Sequence, residues 1–548
     1  MPKTSSKPDP HAPPPTPRRS QRFVWLALLG FLALAALTPS PMLQPLSPPP
    51  APKPCPSACA SLRDQVEGEV ICDFDAATNY SFDWGNKICE GIMPLCVLRP
   101  SGAADVAAAV KAARKTSLPL SYRSGGHSYT CNSIKPGSLH LDLRSLSSVS
   151  ISSSGKELTF GSGLNMRQLL DHLPKGKMIV HGQCPTVGAG GLFLHGGLHT
   201  TLTTKYGRGN DTVTAMEVVT ANGTVLRLSD ASPAGPQQQL WRAMRQAGSS
   251  FAIATQITVK MIDDLPAGTP TDGGDFFPSV RVPRTEMLTL LRNATHETGM
   301  LNYIYVNGVD FLIAAASTDF RKNAEWLGSA VLGRPLTWSE WAKGYFVHLW
   351  EQPVSDHFGA DNKYGKSGAV PYVFSTQEAY ADISFIMPMS CYEDERMLRL
   401  LAALPDERDP HTDLGCYMQV TTTYTAPGDP PRAFVDYNCP YDSAWYRQRQ
   451  RTFNAQVMAI CPTGMLRYYN TPAEFLTARD YFPNYDELAA IKDVWDPTEA
   501  FHTYQGVRPT GKTPDHYQFN RSSYVRHRSL ADWAGEVGWD AMVRFFLR

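Results

Sequence analysis

A chain of 548 residues is long enough to bury a large core and to hold more than one domain. Its 51 basic residues are balanced by 51 acidic ones, which removes the electrostatic case for nucleic acid as a partner. With 43% hydrophobic residues, wholesale disorder is excluded as well.

The first 22 residues are rich in Pro, Ser and basic side chains and end in Arg18, Arg19 and Arg22. Phe23 to Leu37 is then an unbroken apolar run. It falls short of the roughly 20 residues of a membrane span and suits a signal-peptide core better. Extended through residue 43 it nearly reaches spanning length. Residues 23–43 are therefore either a signal peptide, with Ala33-Leu34-Ala35 resembling a cleavage site, or an uncleaved membrane anchor. Both readings send the rest of the chain into the secretory pathway, secreted or anchored with its body on the lumenal or extracellular side. A Pro-rich, extended linker follows at 38–54. The eleven cysteines fit an oxidising compartment. Cys55, Cys59, Cys72, Cys89 and Cys96 crowd the start of the body, so disulfides are expected there with connectivity open. No further His or Cys completes a metal-ligand spacing around Cys55 and Cys59, so no metal centre is expected. Sequons at Asn79, Asn222, Asn293 and Asn520 suit the same route, and a fifth, at Asn210, sits in a segment expected to be buried.

From 85 to 265 short apolar strands alternate with helical stretches. Ala103 to Lys115 reads as a helix, Ala-rich and running from acidic to basic. Leu118 to Tyr122 reads as a strand, and Leu139 to Leu143 alternates as a half-buried strand does. Met216 to Thr220, an Asn-Gly turn and Val225 to Leu228 form a hairpin, and Phe251 to Met261 is a further strand. From 266 to 440 Pro and Gly thicken and aromatics cluster at 338–350. Strand-like stretches at Leu301–Asn307 and Asp382–Met387 predict a second, sheet-containing domain. Asp442–Ala459 and Tyr485–Val494 are predicted helices. Residues 511–548 form a polar, then amphipathic, tail.

Two glycine-rich stretches carry nucleophiles: Arg123-Ser124-Gly125-Gly126-His127-Ser128 and Cys184-Pro185-Thr186-Val187-Gly188-Ala189-Gly190-Gly191, the latter followed by Gly196-Gly197. Glycines let backbone approach a pyrophosphate, and successive N–H groups make an anion nest. Neither stretch is a GxGxxG opening a helix, which disfavours a Rossmann nucleotide site.

Together, in this order and separation, the stretches resemble those of the vanillyl-alcohol oxidase superfamily, and most closely its berberine-bridge-enzyme-like branch. Lys205 to Asp211 is similar to that branch's R-x-Y-G-x-x-x-D segment, and Trp241 to Gly248 to its W-A-x-R-G-G-G-G. Tyr468-Tyr469-Asn470, Tyr481-Phe482-Pro483-Asn484 and the run from Leu488 through Ile491, Lys492, Asp496, Pro497 and Phe501 to Gln505 look like its C-terminal signature. The resemblance covers roughly residues 85–510. It implies an α+β fold, with a two-part FAD-binding domain of the vanillyl-alcohol oxidase type and an antiparallel-sheet substrate domain. Composition sets off 1–54 as the basic, apolar and Pro-rich leader and 55–84 as a Cys-containing lead-in, and the resemblance implies 85–265 for the FAD-binding domain. Residues 266–440 would form the substrate domain, 441–510 the C-terminal part of the FAD domain, and 511–548 an extension.

The resemblance implies FAD bonded twice, through its 8-alpha methyl to His127 and through flavin C6 to Cys184, which would position the flavin and make it more oxidising. Arg123, Ser124, Gly125, Gly126, Ser128, Val187, Gly188, Gly190, Gly191, Gly196, Gly197, Asn470 and Asn484 are implied cofactor contacts. The implied chemistry is hydride transfer from a substrate alcohol, sugar or amine C–H to flavin N5, assisted by a base. Val435-Asp436-Tyr437 resembles the strand that carries the family's carboxylate, so Asp436 is the candidate base, with a pKa raised by desolvation. Tyr468 is the candidate partner phenol. The small Val187 resembles the oxidases, which pass electrons to O2 and release H2O2; a dehydrogenase with another acceptor is the alternative. Three departures stand out. Leu192 replaces the family's His, His195 replaces the first glycine of a triplet, and Gln246-Ala247-Gly248-Ser249-Ser250 replaces an all-glycine run. They motivate a second alternative, a flavin-bearing relative without turnover.

Overall fold

The computed structural model describes residues 55–72, 89, 92–182, 186–198, 202–263, 275–277, 279–280, 287–293, 300–306, 309–315, 333–334, 345–347, 380–404, 417–423, 430, 432–440 and 444–517. The apolar segment 23–43, Cys184, Asn79, Asn520, most of the aromatic cluster at 338–350 and the tail beyond residue 517 lie outside them. Among the described residues no helix is long and apolar enough to cross a membrane.

The lead-in forms a short strand, β1 (Glu69–Ile71), antiparallel to β2 (Cys96–Arg99). β2 pairs in parallel with β4 (Leu139–Asp142), and β4 with β3 (Leu120–Arg123), giving a four-stranded sheet in the order β1-β2-β4-β3. The helix Ala103–Thr116 joins β2 to β3 and buries Val106, Ala109, Val110 and Ala113 against Leu98, Leu120, Leu139 and Leu141. Its apolar face recurs at helical spacing, with Asp105 in the first turn and Arg114 and Lys115 in the last, matching the macrodipole.

Cys59–Cys96 staples the lead-in to β2, Cys55–Cys72 closes the lead-in around β1, and Cys89–Cys131 bonds the segment before β2 to the segment between β3 and β4. The Asp105 carboxylate adds a polar tie, accepting from the Glu67, Gly68 and Ser101 amides and the Ser101 hydroxyl at 2.8–3.0 Å. Burial raises its pKa, but these hydrogen bonds outweigh burial and hold the carboxyl below its ordinary value. A depressed carboxyl contributes stability that is present above its unfolded pKa and lost as pH falls through its folded one. Asp105→Ala is therefore expected to cost about 1–3 kcal/mol at neutral pH. In urea titrations repeated from pH 7 towards pH 2, the gap between variant and parent should shrink; a constant gap would remove the carboxylate from the account.

A second sheet has five strands, β5 (Val149–Ile151), β6 (Glu157–Gly161), β7 (Val213–Thr220), β8 (Val225–Ser229) and β9 (Ala252–Lys260), in the antiparallel order β5-β6-β9-β7-β8. The helices Ala189–His195, Pro236–Ala247 and Tyr485–Trp495 pack beside it, around the buried Trp241 and Met244. The β7–β8 hairpin turns at Asn222-Gly223, as expected. The exposed Asn222 accepts from the Thr224 amide at 3.0 Å and the Thr220 hydroxyl at 2.7 Å. The sequon at Asn210 behaves oppositely: Asn210 is buried, and its amide donates to the Arg245 carbonyl at 2.7 Å. On expression through a eukaryotic secretory route, peptide mass mapping after glycosidase treatment should find glycan at Asn222 and none at Asn210.

The third sheet uses only residues 279–440. Its strands are β11 (Ser279–Val280), β12 (Met300–Val306), β13 (Val309–Ala315), β15 (Tyr380–Pro388), β16 (Tyr417–Thr423) and β17 (Arg432–Pro440), in the order β11-β13-β12-β16-β17-β15. Every pairing in it is antiparallel, as expected for the substrate domain. A separate ribbon pairs β10 (Asp275–Phe277) with β14 (Tyr345–Val347). Strand alternation separates two faces. Ile383, Phe385, Met387, Ala433, Val435, Tyr437 and Cys439 enter the main core, while Ile386 and Phe434 face the other way, against Tyr468.

The helix Ala444–Ile460 differs from expectation in its placement. It packs on β15 and β17, with Phe453 against Phe385 and Tyr437, and Cys461 at its end is bonded to Cys391. Its apolar stripe belongs to the sheet beneath it, so the chain rejoins the FAD-binding side only near residue 467.

Candidate active site

The two glycine stretches meet backbone to backbone. A Cβ on Gly125 would stand 2.3 Å from the Gly188 amide nitrogen, and one on Gly188 would stand 2.1 Å from that of Gly125. No other residue fits either place without moving the chain. Hydrogen bonds fasten the join. Ser124 donates to the Ser162 carbonyl at 2.6 Å, and the Gly190 amide donates to both Ser124 Oγ and the Ser162 carbonyl, at 3.3 and 3.2 Å. His127 Nε2 lies 2.9 Å from the Thr186 hydroxyl. Burial pushes the His127 pKa down to about 4, so the imidazole is neutral at physiological pH. Ser128 Oγ accepts from the Asn132 amide at 3.0 Å, holding the loop after His127. Val187 is half-buried beside Gly188, and its carbonyl accepts from the Met166 amide.

Arg123 is placed differently from the cofactor contact that the resemblance implies. Its side chain is fully buried, with its guanidinium 3.4 Å from Asp142, where Arg144 and Arg99 also converge. A carboxylate with three guanidinium neighbours uses that charge inside the fold.

A second set of groups gathers around Tyr468. Its phenol oxygen accepts from the amides of Gly197 and Leu198, both at 3.2 Å, and from Asn470 Nδ2 at 2.9 Å. Gly196, at φ 153°, permits this approach, since a Cβ there would lie 2.8 Å from the Tyr468 ring. Burial pushes the phenol pKa up, while the three N–H groups pull the other way without fully offsetting it. Phe434 meets the ring edge-on at 5.6 Å. Asp436 is two residues along β17, hence on the same face as Phe434, buried, and paired in register with Ser384 and Gln419. Ser384 is tied to Tyr468 through its carbonyl, at 3.4 Å, and to Thr471 at 3.0 Å. The structure thus brings Asp436, Tyr468, Asn470, Gly196 and Gly197 to one region. Asn484 is not among them: it begins the helix Tyr485–Trp495, and its amide donates to Glu487 at the surface.

One contributor was missed in the sequence, and another was read there only as part of a signature. The Ser162 hydroxyl is buried, has no hydrogen-bond partner among the described residues, and sits against Ser124 and Gly190. Its flanking glycines, Gly161 and Gly163 after a strand, were the available signal. The other is the fully buried pair Lys492 and Asp496, 2.6 Å apart. Lys492 also donates to the Ser250 and Phe501 carbonyls, and Asp496 accepts from the Ala500 and Phe501 amides. The pair pins the C-terminal signature to the 246–250 run.

An orphaned hydroxyl, bare glycine backbone and an open side at Gly191, where a Cβ would meet nothing within 4 Å, fit a large ligand with a polar backbone such as a flavin dinucleotide. Fold and site together define a two-part flavoprotein of α+β type. Residues 94–229 match the FAD binding domain family, and residues 467–508 match the family described as berberine and berberine like. The two matches fall, in order, on the segments whose motifs resemble the berberine-bridge-enzyme-like branch. The chain is similar to (R)-6-hydroxynicotine oxidase of Paenarthrobacter nicotinovorans, 33% identical over 253 residues, which are 45% of this chain and 52% of that protein. An FAD-linked oxidoreductase of Metarhizium anisopliae is 34% identical over 30% of this chain and 32% of its own. The chain thus spans between about a third and a half of these curated relatives. Among solved structures, a chitooligosaccharide oxidase has the same fold, with TM-score 0.61 at 18% identity over 83% of this chain and all of its own. So does 6-hydroxy-D-nicotine oxidase from Arthrobacter nicotinovorans, with TM-score 0.61 at 22% identity over 81% of this chain and 98% of its own.

Proposed function

We propose that the protein is an FAD-linked oxidase that carries its flavin on His127 and Cys184 and acts on a small alcohol, sugar or amine. The observation that carries this reading is the contact of His127 with Thr186, two residues from Cys184, across the Gly125–Gly188 join. It brings the two attachment segments to one place. When bound, FAD supplies the acceptor for a substrate hydride and passes the electrons on, with O2 as the proposed recipient.

The chain's own residues do the rest. The neutral His127 has a lone pair for attachment. Tyr468 takes a proton from the substrate, its oxygen prepared for negative charge by three N–H donors, as an oxyanion hole is. Asp436, on the same face of the roof sheet, shares that proton. Cysteine accounting supports the thiol. Nine described cysteines are disulfide-bonded, Cys439 among them. With eleven in the chain, only Cys184 and Cys416 remain, and one of them must pair with Cys439. The resemblance assigns the remaining thiol to Cys184.

Geometry also speaks for turnover over a flavin-bearing relative without it. The Leu192 side chain fills the space bounded by Gly182, Gly197 and Gly209, so this departure is absorbed by packing. The test is acid denaturation of the purified protein. Yellow colour should stay with the polypeptide, and should persist in His127→Ala or Cys184→Ala singly but not in the double variant. Free flavin released from the parent would overturn the covalent reading, and flavin reduced by a sugar or aromatic alcohol without peroxide would replace the oxidase with a dehydrogenase.

A further inference from the structure

Two of the departures from the glycine pattern touch each other. His195 stands in place of a glycine at the end of the helix Ala189–His195, and Ser249 in place of a glycine in the run 246–250. They lie 54 residues apart, yet Ser249 Oγ is 2.7 Å from His195 Nε2, and the Ser249 amide donates to the same nitrogen at 3.3 Å. His195 Nδ1 lies 3.1 Å from the Gly191 carbonyl, which can only accept. The ring must therefore carry its proton on Nδ1 and leave Nε2 as the acceptor for both Ser249 donors, a neutral tautomer. Burial, which pushes the His195 pKa down to about 4, favours that same neutral form. The contacts extend in both directions. Tyr122, one residue before Arg123, donates its hydroxyl to the Ser249 carbonyl at 2.6 Å. Ser250, the next residue, accepts through Oγ from the Val507 amide at 3.0 Å. The His195 ring also packs on Tyr469 at 5.1 Å, beside Tyr468.

We propose that His195 and Ser249 form a positioning pair that locks the strand before the first glycine stretch, the second stretch and the C-terminal signature together, and so sets how the cradle grips its cofactor. The proposal rests on the flavin reading above. Bare glycine at both positions would leave three backbone segments held only by their neighbours. The imidazole ties the second stretch, at Gly191, to Ser249, and the 249–250 backbone and the Ser250 hydroxyl carry that tie on to Tyr122 and Val507.

A double-substitution cycle on the full chain as purified tests this: His195→Gly, Ser249→Gly, both together, and Ser249→Thr as the conservative variant. The readouts are the flavin midpoint potential, from dithionite titration against a reference dye, and the thermal unfolding midpoint. Each single glycine variant should move both, with the potential moving in the same direction. Ser249→Gly keeps the amide donor to the ring and should move both readouts less than His195→Gly; the double variant should match His195→Gly, and Ser249→Thr should match the parent. Additive shifts would overturn the pairing, and potentials unchanged in every variant would reduce the pair to ordinary packing. A parent protein that binds no flavin would overturn the flavin reading instead, while non-additive unfolding midpoints in it would still uphold the pair.

Discussion

Replacing Tyr468 by Phe should slow reduction of the bound flavin by about 10²–10⁴-fold, the usual contribution of a positioned base. The colour should remain, because no attachment residue is touched. Phe keeps the ring that Phe434 meets edge-on, so the packing survives. What is lost is the acceptor for the Gly197, Leu198 and Asn470 donors, a stability cost of about 1–3 kcal/mol. The pH dependence separates the two roles. The working form of a base is the deprotonated one, and burial raises the Tyr468 pKa above the ordinary phenol value. The parent's rate should therefore climb with pH across the alkaline range, and the variant's should be flat. Anaerobic stopped-flow reduction, with whichever substrate of a sugar and aromatic-alcohol panel bleaches the flavin, measures both. A variant that keeps the parent's slope would hand the base role to Asp436 alone.

The second large effect lies at Lys492 and Asp496. Both side chains are fully buried, so removing either takes the counter-ion from a buried partner. Lys492→Met should cost about 3–5 kcal/mol, read as a lower urea midpoint at unchanged slope. Replacing both residues by apolar ones recovers such a loss in many proteins. Here recovery should fail, because Asp496 also accepts from the Ala500 and Phe501 amides, which would then be orphaned. A fully recovered double variant would show that those amides find other partners.

Much of this was legible in the chain itself. The helix at 103–116, the hairpin turning at Asn222-Gly223 and the strands at 300–306 and 380–388 follow from local periodicity and turn chemistry, which neighbours do not override. The glycine stretches announced a close backbone approach. Which backbone each approaches, Gly125 on Gly188, is a tertiary fact that no local pattern carries. The surroundings of Arg123 were hidden for a related reason. A basic residue beside a glycine stretch suggests a phosphate partner, but its carboxylate, Asp142, lies 19 residues away on the adjacent parallel strand. Helix 444–460 was visible as a helix. Its partner sheet was not, because an apolar stripe says that a face is buried and leaves open against what. Ser162 escaped because a lone hydroxyl between glycines has no periodicity to betray it.

The return of the chain near residue 467 has a consequence for biosynthesis. Tyr468, Asn470, Lys492 and Val507 all close on the region built by residues 120–250, so that region stays incomplete until the last part of this sequence has been made. A product broken off before residue 467 could fold its first two sheets and still lack the groups that finish the cradle. Pigmentation of the purified protein would then serve as an audit of synthesis, since truncated molecules should emerge pale from the same preparation that yields yellow intact ones.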